Sequence, residues 1–253
     1  MTAIIPLKAR LRAGDMLHGF FLGVPAPATV EMAGWTGFDF VILDGEHGPA
    51  GLETMEHMLR AADASGLSAL MRVPSGSAAD ILHALDIGAA GIMVPHVTSA
   101  AIARQVVERA YYPPVGRRGI GTLSRAARHG ALDRMEYLKG AAERTLVTVM
   151  IEDAEALPHV RDIAQVDGVD VLFVGPSDLA ASLGHPGEST HPEVVAALER
   201  ILRDAGDVPV ATTAGSAAEA RRLAGLGVRM ACFSTTSIMV TALRQLRRDL
   251  DQG

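Results

Sequence analysis

Lysine is almost missing from this chain of 253 residues: Lys8 and Lys139 are the only two. A Schiff-base enzyme needs a buried lysine at a strand end. Lys8 falls in the N-terminal segment and Lys139 in a long connection, so neither qualifies. The single cysteine, Cys232 in the strand-like ACFS, excludes an internal disulfide framework and a cysteine-based zinc site. It reads as a small buried apolar residue. Aromatic residues make up only 4 %, too few for a base-stacking platform. The net charge of −6 and the scattered arginines argue against nucleic acid as a partner. No apolar run is long enough to span a membrane. The opening MTAIIPLKARLRAGD places apolar residues before basic ones with no cleavage signal, so a cytoplasmic protein is expected.

What the chain has in quantity is hydrophobic residues, 49 % of the total, enough for the core of one barrel domain over residues 1–253. Short runs rich in Val, Ile, Leu and Met alternate with Ala/Leu/Arg stretches of helical period. The runs are HGFFLGV, FVILDG, SALMRVP, GIMVPHV, TLVTVMIE, VDVLFVGP, VPVATTA and RMACFSTTS. Helical segments such as GLETMEHMLRAADASG and SAAEARRLAGLG end in glycine, as capped helices do. Strands each followed by a helix predict a closed α/β structure, a (β/α)8 barrel, rather than a doubly wound sheet with its glycine-rich first turn. The longest irregular stretch, from Tyr111 to about Gly140, reads as a lid carrying YYPPVGRRGIG.

Ionisable residues fall where the strands end, the rim that holds barrel active sites. Asp44, Glu46 and His47 close FVILDGEHGP; Arg72 ends the third run, His96 the fourth, Glu152 and Asp153 the fifth. Ser177 and Asp178 follow the sixth, in GPSDLAASLG, a turn opening a helix whose N–H groups suit a carboxylate oxygen. Two carboxylates on neighbouring strands, Glu152 and Asp178, can hold a hard divalent cation, or can pair with arginines. Arg72 can clamp a carboxylate or stabilise an enolate oxygen, or form an ion pair with Glu46 or Glu152. His47 is a natural general base, or a solvated loop residue.

In this order DGEHGP, RVP, IMVPHV, YYPPVGRRGIG, IE and GPSDLAASLG resemble the HpcH/HpaI aldolases. The resemblance runs from about Gly19 to Leu246 and implies a TIM barrel of the phosphoenolpyruvate/pyruvate superfamily type. It further implies a class II aldolase that reversibly cleaves 4-hydroxy-2-oxo acids to pyruvate, or a small substituted pyruvate such as hydroxypyruvate, and an aldehyde. The implied cofactor is Mg²⁺, Mn²⁺ or Co²⁺ on Glu152 and Asp178. Arg72 would contact the keto and enolate oxygen, and Gly175, Pro176 and Ser177 would hold the substrate carboxylate. His47 would form an acid–base dyad with Asp86, while Asp44 and Glu46 would orient the groups around them. The resemblance also implies a homo-oligomer, a hexamer built as a trimer of dimers. One departure bears on the acceptor as well as the donor: many relatives have Gln-Ile-Glu where this chain has Met150-Ile151-Glu152. The rival readings are a citrate-lyase-type or malyl-CoA-type lyase acting on a thioester, and a non-catalytic barrel that binds a small molecule. Asp86 stands just before the fourth run, at the barrel end opposite His47, so a dyad requires a neighbouring chain.

Overall fold

The computed structural model describes residues 5–251. Eight parallel strands close into a (β/α)8 barrel in sequence order, β1 pairing with both β2 and β8. They are β1 (Leu17–Leu22), β2 (Phe40–Asp44), β3 (Ser68–Arg72), β4 (Gly91–Val94), β5 (Leu146–Ile151), β6 (Val171–Val174), β7 (Val210–Thr213) and β8 (Met230–Ser234). All eight expected strands are present, most of them shorter than the runs that announced them.

Strand residues alternate between the barrel interior and the helical layer. Phe40, Ile42, Leu70, Leu146, Met150, Val171 and Phe173 fill the interior with Leu17, Met93, Met230 and Cys232. Val41, Leu43, Ala69, Met71, Val147, Val149, Leu172 and Val174 pack outward against the helices. This parity places the rim residues. Asp44 follows Phe40 and Ile42, Arg72 follows Leu70, Glu152 follows Met150, and Gly175 follows Phe173. Each is the next inward position beyond the packed layers.

The opposite end is plugged by the short helix Leu7–Arg12, whose Leu7 and Leu11 join the interior cluster. Lys8 is buried there, its Nζ 2.9 Å from Asp170 Oδ1 and 3.0 Å from the Tyr111 hydroxyl. Asp170 precedes β6, so this lysine sits at the far end of the barrel from the strand termini. Lys139 is exposed on the helix Arg134–Arg144.

The stretch after Tyr111 is less irregular than expected, containing a 3₁₀ segment, Arg125–Gly130, and the helix Arg134–Arg144. It does not cover its own chain's rim. A connection from helix to strand returns to the N-terminal end of the barrel, and the contacts fix it there. Arg118 Nη2 lies 2.5 Å from Asp86 Oδ1, and Arg125 Nη1 donates to the Ile87 carbonyl at 2.9 Å. The expectation of a lid over this chain's own site is therefore corrected. Among the described residues no helix is long and apolar enough to cross a membrane.

Candidate active site

Asp44 organises the DGEHGP turn. Its Oδ1 accepts the backbone N–H groups of Glu46 and His47 at 3.1 and 3.2 Å, bending the chain back as an Asx turn does. The same carboxylate takes Arg72 in a two-point grip, Nε to Oδ1 at 2.9 Å and Nη2 to Oδ2 at 2.6 Å. Asp44 and Arg72 are register partners on β2 and β3, which makes the grip a consequence of strand pairing. Glycine is required at position 45, because a Cβ would lie 2.6 Å from the Arg72 carbonyl oxygen. Burial disfavours the Asp44 anion, but the Arg72 bond and charge and the two backbone N–H groups outweigh it and hold the carboxyl below its ordinary range.

Glu46 adds a third contact, Oε2 to Arg72 Nη1 at 3.0 Å. An arginine carries five N–H donors; three are engaged here, which leaves two for another acceptor. The guanidinium also lies over the Phe21 ring, 5.0 Å from its centroid. Phe21 had no part in the sequence reading; its inward parity after Leu17 and Gly19 is the signal that marks it. His47 is largely exposed, its Nε2 3.9 Å from Glu46 Oε2.

Across the rim, Glu152 is 1 % exposed. Its Oε1 accepts the His96 N–H at 2.9 Å, while Oε2 is buried with no partner at all. Burial raises its pKa, and the charges of Asp178 and Glu46 raise it further against the opposing pull of His96. Gly175 makes room for that lone oxygen: a Cβ there would sit 2.6 Å from Oε2. Ser177 and Asp178 are exposed on the first turn of the helix Pro176–Ser182, and Pro176 brings no N–H. His96 lies over the same edge, Nδ1 3.1 Å from Asp153 Oδ2 and Nε2 3.8 Å from Glu46 Oε1. Burial works against its protonation, but the Asp153 bond and the surrounding carboxylates prevail and raise its pKa. Met150 faces the interior beneath this group, as expected from its place two residues before Glu152.

Asp44, Glu46, His47, Arg72, Glu152 and the Gly175–Asp178 turn thus share one rim, and His96 and Asp153 join them. Asp86 does not. It ends the helix Ala78–Asp86 at the N-terminal side, bound to Arg118.

This is the end of the barrel where TIM-barrel active sites lie, and comparison with known proteins decides the family. The HpcH/HpaI aldolase/citrate lyase family matches residues 17–233. The chain belongs to that family. It is 40% identical over 243 residues to a hydroxypyruvate/pyruvate aldolase of Pseudomonas aeruginosa, covering 94% of this chain and 90% of that one. It is also 40% identical over 205 residues to a 2-keto-3-deoxy-L-rhamnonate aldolase of Salmonella gallinarum, covering 80% and 76%. A family protein of known structure from Burkholderia cenocepacia is 35% identical, with a TM-score of 0.91 and coverage of 97% and 98%. This aldolase is accordingly a carbon–carbon lyase on a TIM barrel.

Proposed function

We propose that this aldolase cleaves 4-hydroxy-2-oxo acids to pyruvate or hydroxypyruvate and an aldehyde, using a divalent cation held by Glu152 and Asp178. The observation that carries the reading is the lone Glu152 Oε2, buried beside a glycine that keeps its front clear. A buried, unpaired carboxylate oxygen is expensive unless a cation completes it. Glu46, Glu152, Asp153 and Asp178 leave the rim negative, since Arg72 is already committed to Asp44. Oxygen donors of this kind suit Mg²⁺, Mn²⁺ or Co²⁺. When bound, the cation supplies Lewis acidity toward a 2-oxo acid.

The residues then divide the work. The Ser177 and Asp178 N–H groups face the substrate carboxylate. His47 takes the C4 hydroxyl proton; the C3–C4 bond breaks, the aldehyde departs, and the electron pair moves onto the enolate. Arg72 turns its two unspent N–H groups to the enolate oxygen, a kind of contact worth about 3–4 kcal/mol at comparable oxyanions. Asp44 and Glu46 keep that guanidinium in one orientation. C3 then gains a proton from water, His47 gives up its own to solvent, and pyruvate leaves. Pyruvate release measured over a set of 4-hydroxy-2-oxo acids tests the reading. Release from several members is expected, and hydrolysis of a thioester substrate alone would overturn it.

The working form is a homo-oligomer, for which the family resemblance suggests a hexamer. The terminal helix Thr235–Asp251 has no buried side chain and carries Met239, Leu243, Leu246 and Leu250, each 47–66% exposed, along one stripe. It borders a cleft of about 760 Å³ walled by Val194, Leu198, Leu223 and Leu226. Apolar surface of this extent suits a second copy of the chain. A neighbour would also deliver Asp86 to His47. His47→Ala and Asp86→Ala proteins, each impaired, are therefore expected to regain activity when unfolded together and reassembled, with a maximum near equal amounts. A flat, low response across mixing ratios would place no Asp86 at a neighbour's site.

A further inference from the structure

The turn that ends β4 has a backbone that its sequence does not announce. His96 has φ of 54°, in the left-handed region that residues other than glycine seldom occupy. Three bonds tie this turn to the end of β5. The His96 N–H donates to Glu152 Oε1 at 2.9 Å, and the His96 ring meets Asp153 Oδ2 at 3.1 Å. The following N–H, from Val97, donates to the Met150 carbonyl at 3.2 Å. With the left-handed turn at 96, successive N–H groups reach a side-chain oxygen and a strand carbonyl of the same neighbour. The strain of such a conformation persists where its surroundings over-determine it, and such sites are frequently functional.

We propose that His96 is a positioning residue: its left-handed turn pins Glu152 Oε1 so that Oε2 alone faces the divalent cation. This rests on the reading of Glu152 as a metal ligand. A carboxylate fixed before the ion arrives has less torsional freedom to lose on binding, and its affinity rises accordingly. The imidazole acts on the turn rather than on the ion. Bonded to Asp153, it selects one backbone conformation where glycine would sample several.

The test is titration of Mn²⁺ alone into the full-length, metal-stripped protein by calorimetry, beside thermal melting of each metal-free variant. His96→Val, whose branched side chain resists the left-handed region, should weaken Mn²⁺ binding about tenfold to a hundredfold, the range for losing a ligand's outer partner. His96→Gly takes the turn without steric cost and should stay within about fivefold of the parent. His96→Ala should fall between them. If the valine protein does not fold, the order glycine above alanine still decides the matter, because both lack the ring. Equal losses in the glycine and valine proteins, or in the glycine and alanine proteins, would show that the turn is not what matters, and so would parental affinity in the valine protein. Glu152→Gln separates the two levels. If it loses binding while His96→Val does not, the positioning role alone falls; if it binds as the parent does, the ligand reading falls with it.

Discussion

Replacing Glu152 with glutamine is expected to lower kcat/KM for retro-aldol cleavage at least about a thousandfold, the scale of losing a metal-held transition-state charge. The same change should leave the metal-free protein as stable as the parent, or more so. Glutamine matches glutamate in shape, and its side-chain oxygen can still accept the His96 N–H that Oε1 accepts now. What disappears is a charge taken out of water with one oxygen unpaired. Burial, joined by Asp178 and Glu46, pushes this carboxyl upward, so its surroundings disfavour the anion. Function and stability pull in opposite directions at such a site. Steady-state kinetics at saturating Mg²⁺ and melting of the metal-free protein check the two halves. Activity within about tenfold of the parent would remove Glu152 from the chemistry.

Arg72→Lys should slow exchange of the pyruvate C3 protons with D₂O by about a hundredfold or more, the scale of losing an oxyanion donor. Lysine brings a point charge where the geometry calls for a planar fork. It cannot reproduce the paired bonds to Asp44 together with the contact to Glu46. Its two carboxylate partners are left incompletely paired at 12% and 14% exposure, so the melting temperature should drop as well. His47→Ala should behave differently, keeping much of the exchange while losing cleavage, because its proton belongs to the C4 hydroxyl. Equal exchange losses in both variants would contradict that division. The two rates come from proton spectra of pyruvate in D₂O and from pyruvate release.

The barrel was legible because its strands are buried on both faces and so read as continuous apolar runs bounded by helical stretches. The rim was legible for the same reason: a charged residue directly after such a run has nowhere to go but the mouth. Position within the rim was harder. The sequence offers Arg72 an ion pair with Glu46 or Glu152; strand register, which a single sequence does not display, sets it instead against Asp44, with Glu46 as a further contact. The Tyr111–Gly140 stretch looked like a lid because proline, glycine and arginine mark loops. Yet RMEYLKGAAER forms a helix that buries only Tyr137 and Ala141, too thin a stripe to stand out. Its place at the far end follows from topology, since it enters from a helix and leaves into β5. The turn at His96 was invisible for a chemical reason: the left-handed region is signalled by glycine or asparagine, and here histidine takes it. The terminal helix shows its apolar stripe in the sequence, but that none of its side chains is buried against its own barrel emerges only once the other elements are placed.

In the proposed mechanism this chain forms a pyruvate enolate with a divalent cation and without a lysine adduct. The most direct measurement is C3 proton exchange of pyruvate in D₂O by the full-length protein, before and after chelation, with borohydride added in parallel. Exchange should vanish with the chelator, return on adding Mg²⁺ or Co²⁺, and leave no covalent adduct with borohydride. Exchange that survives complete chelation, or inactivation by borohydride through trapped pyruvate, would contradict it.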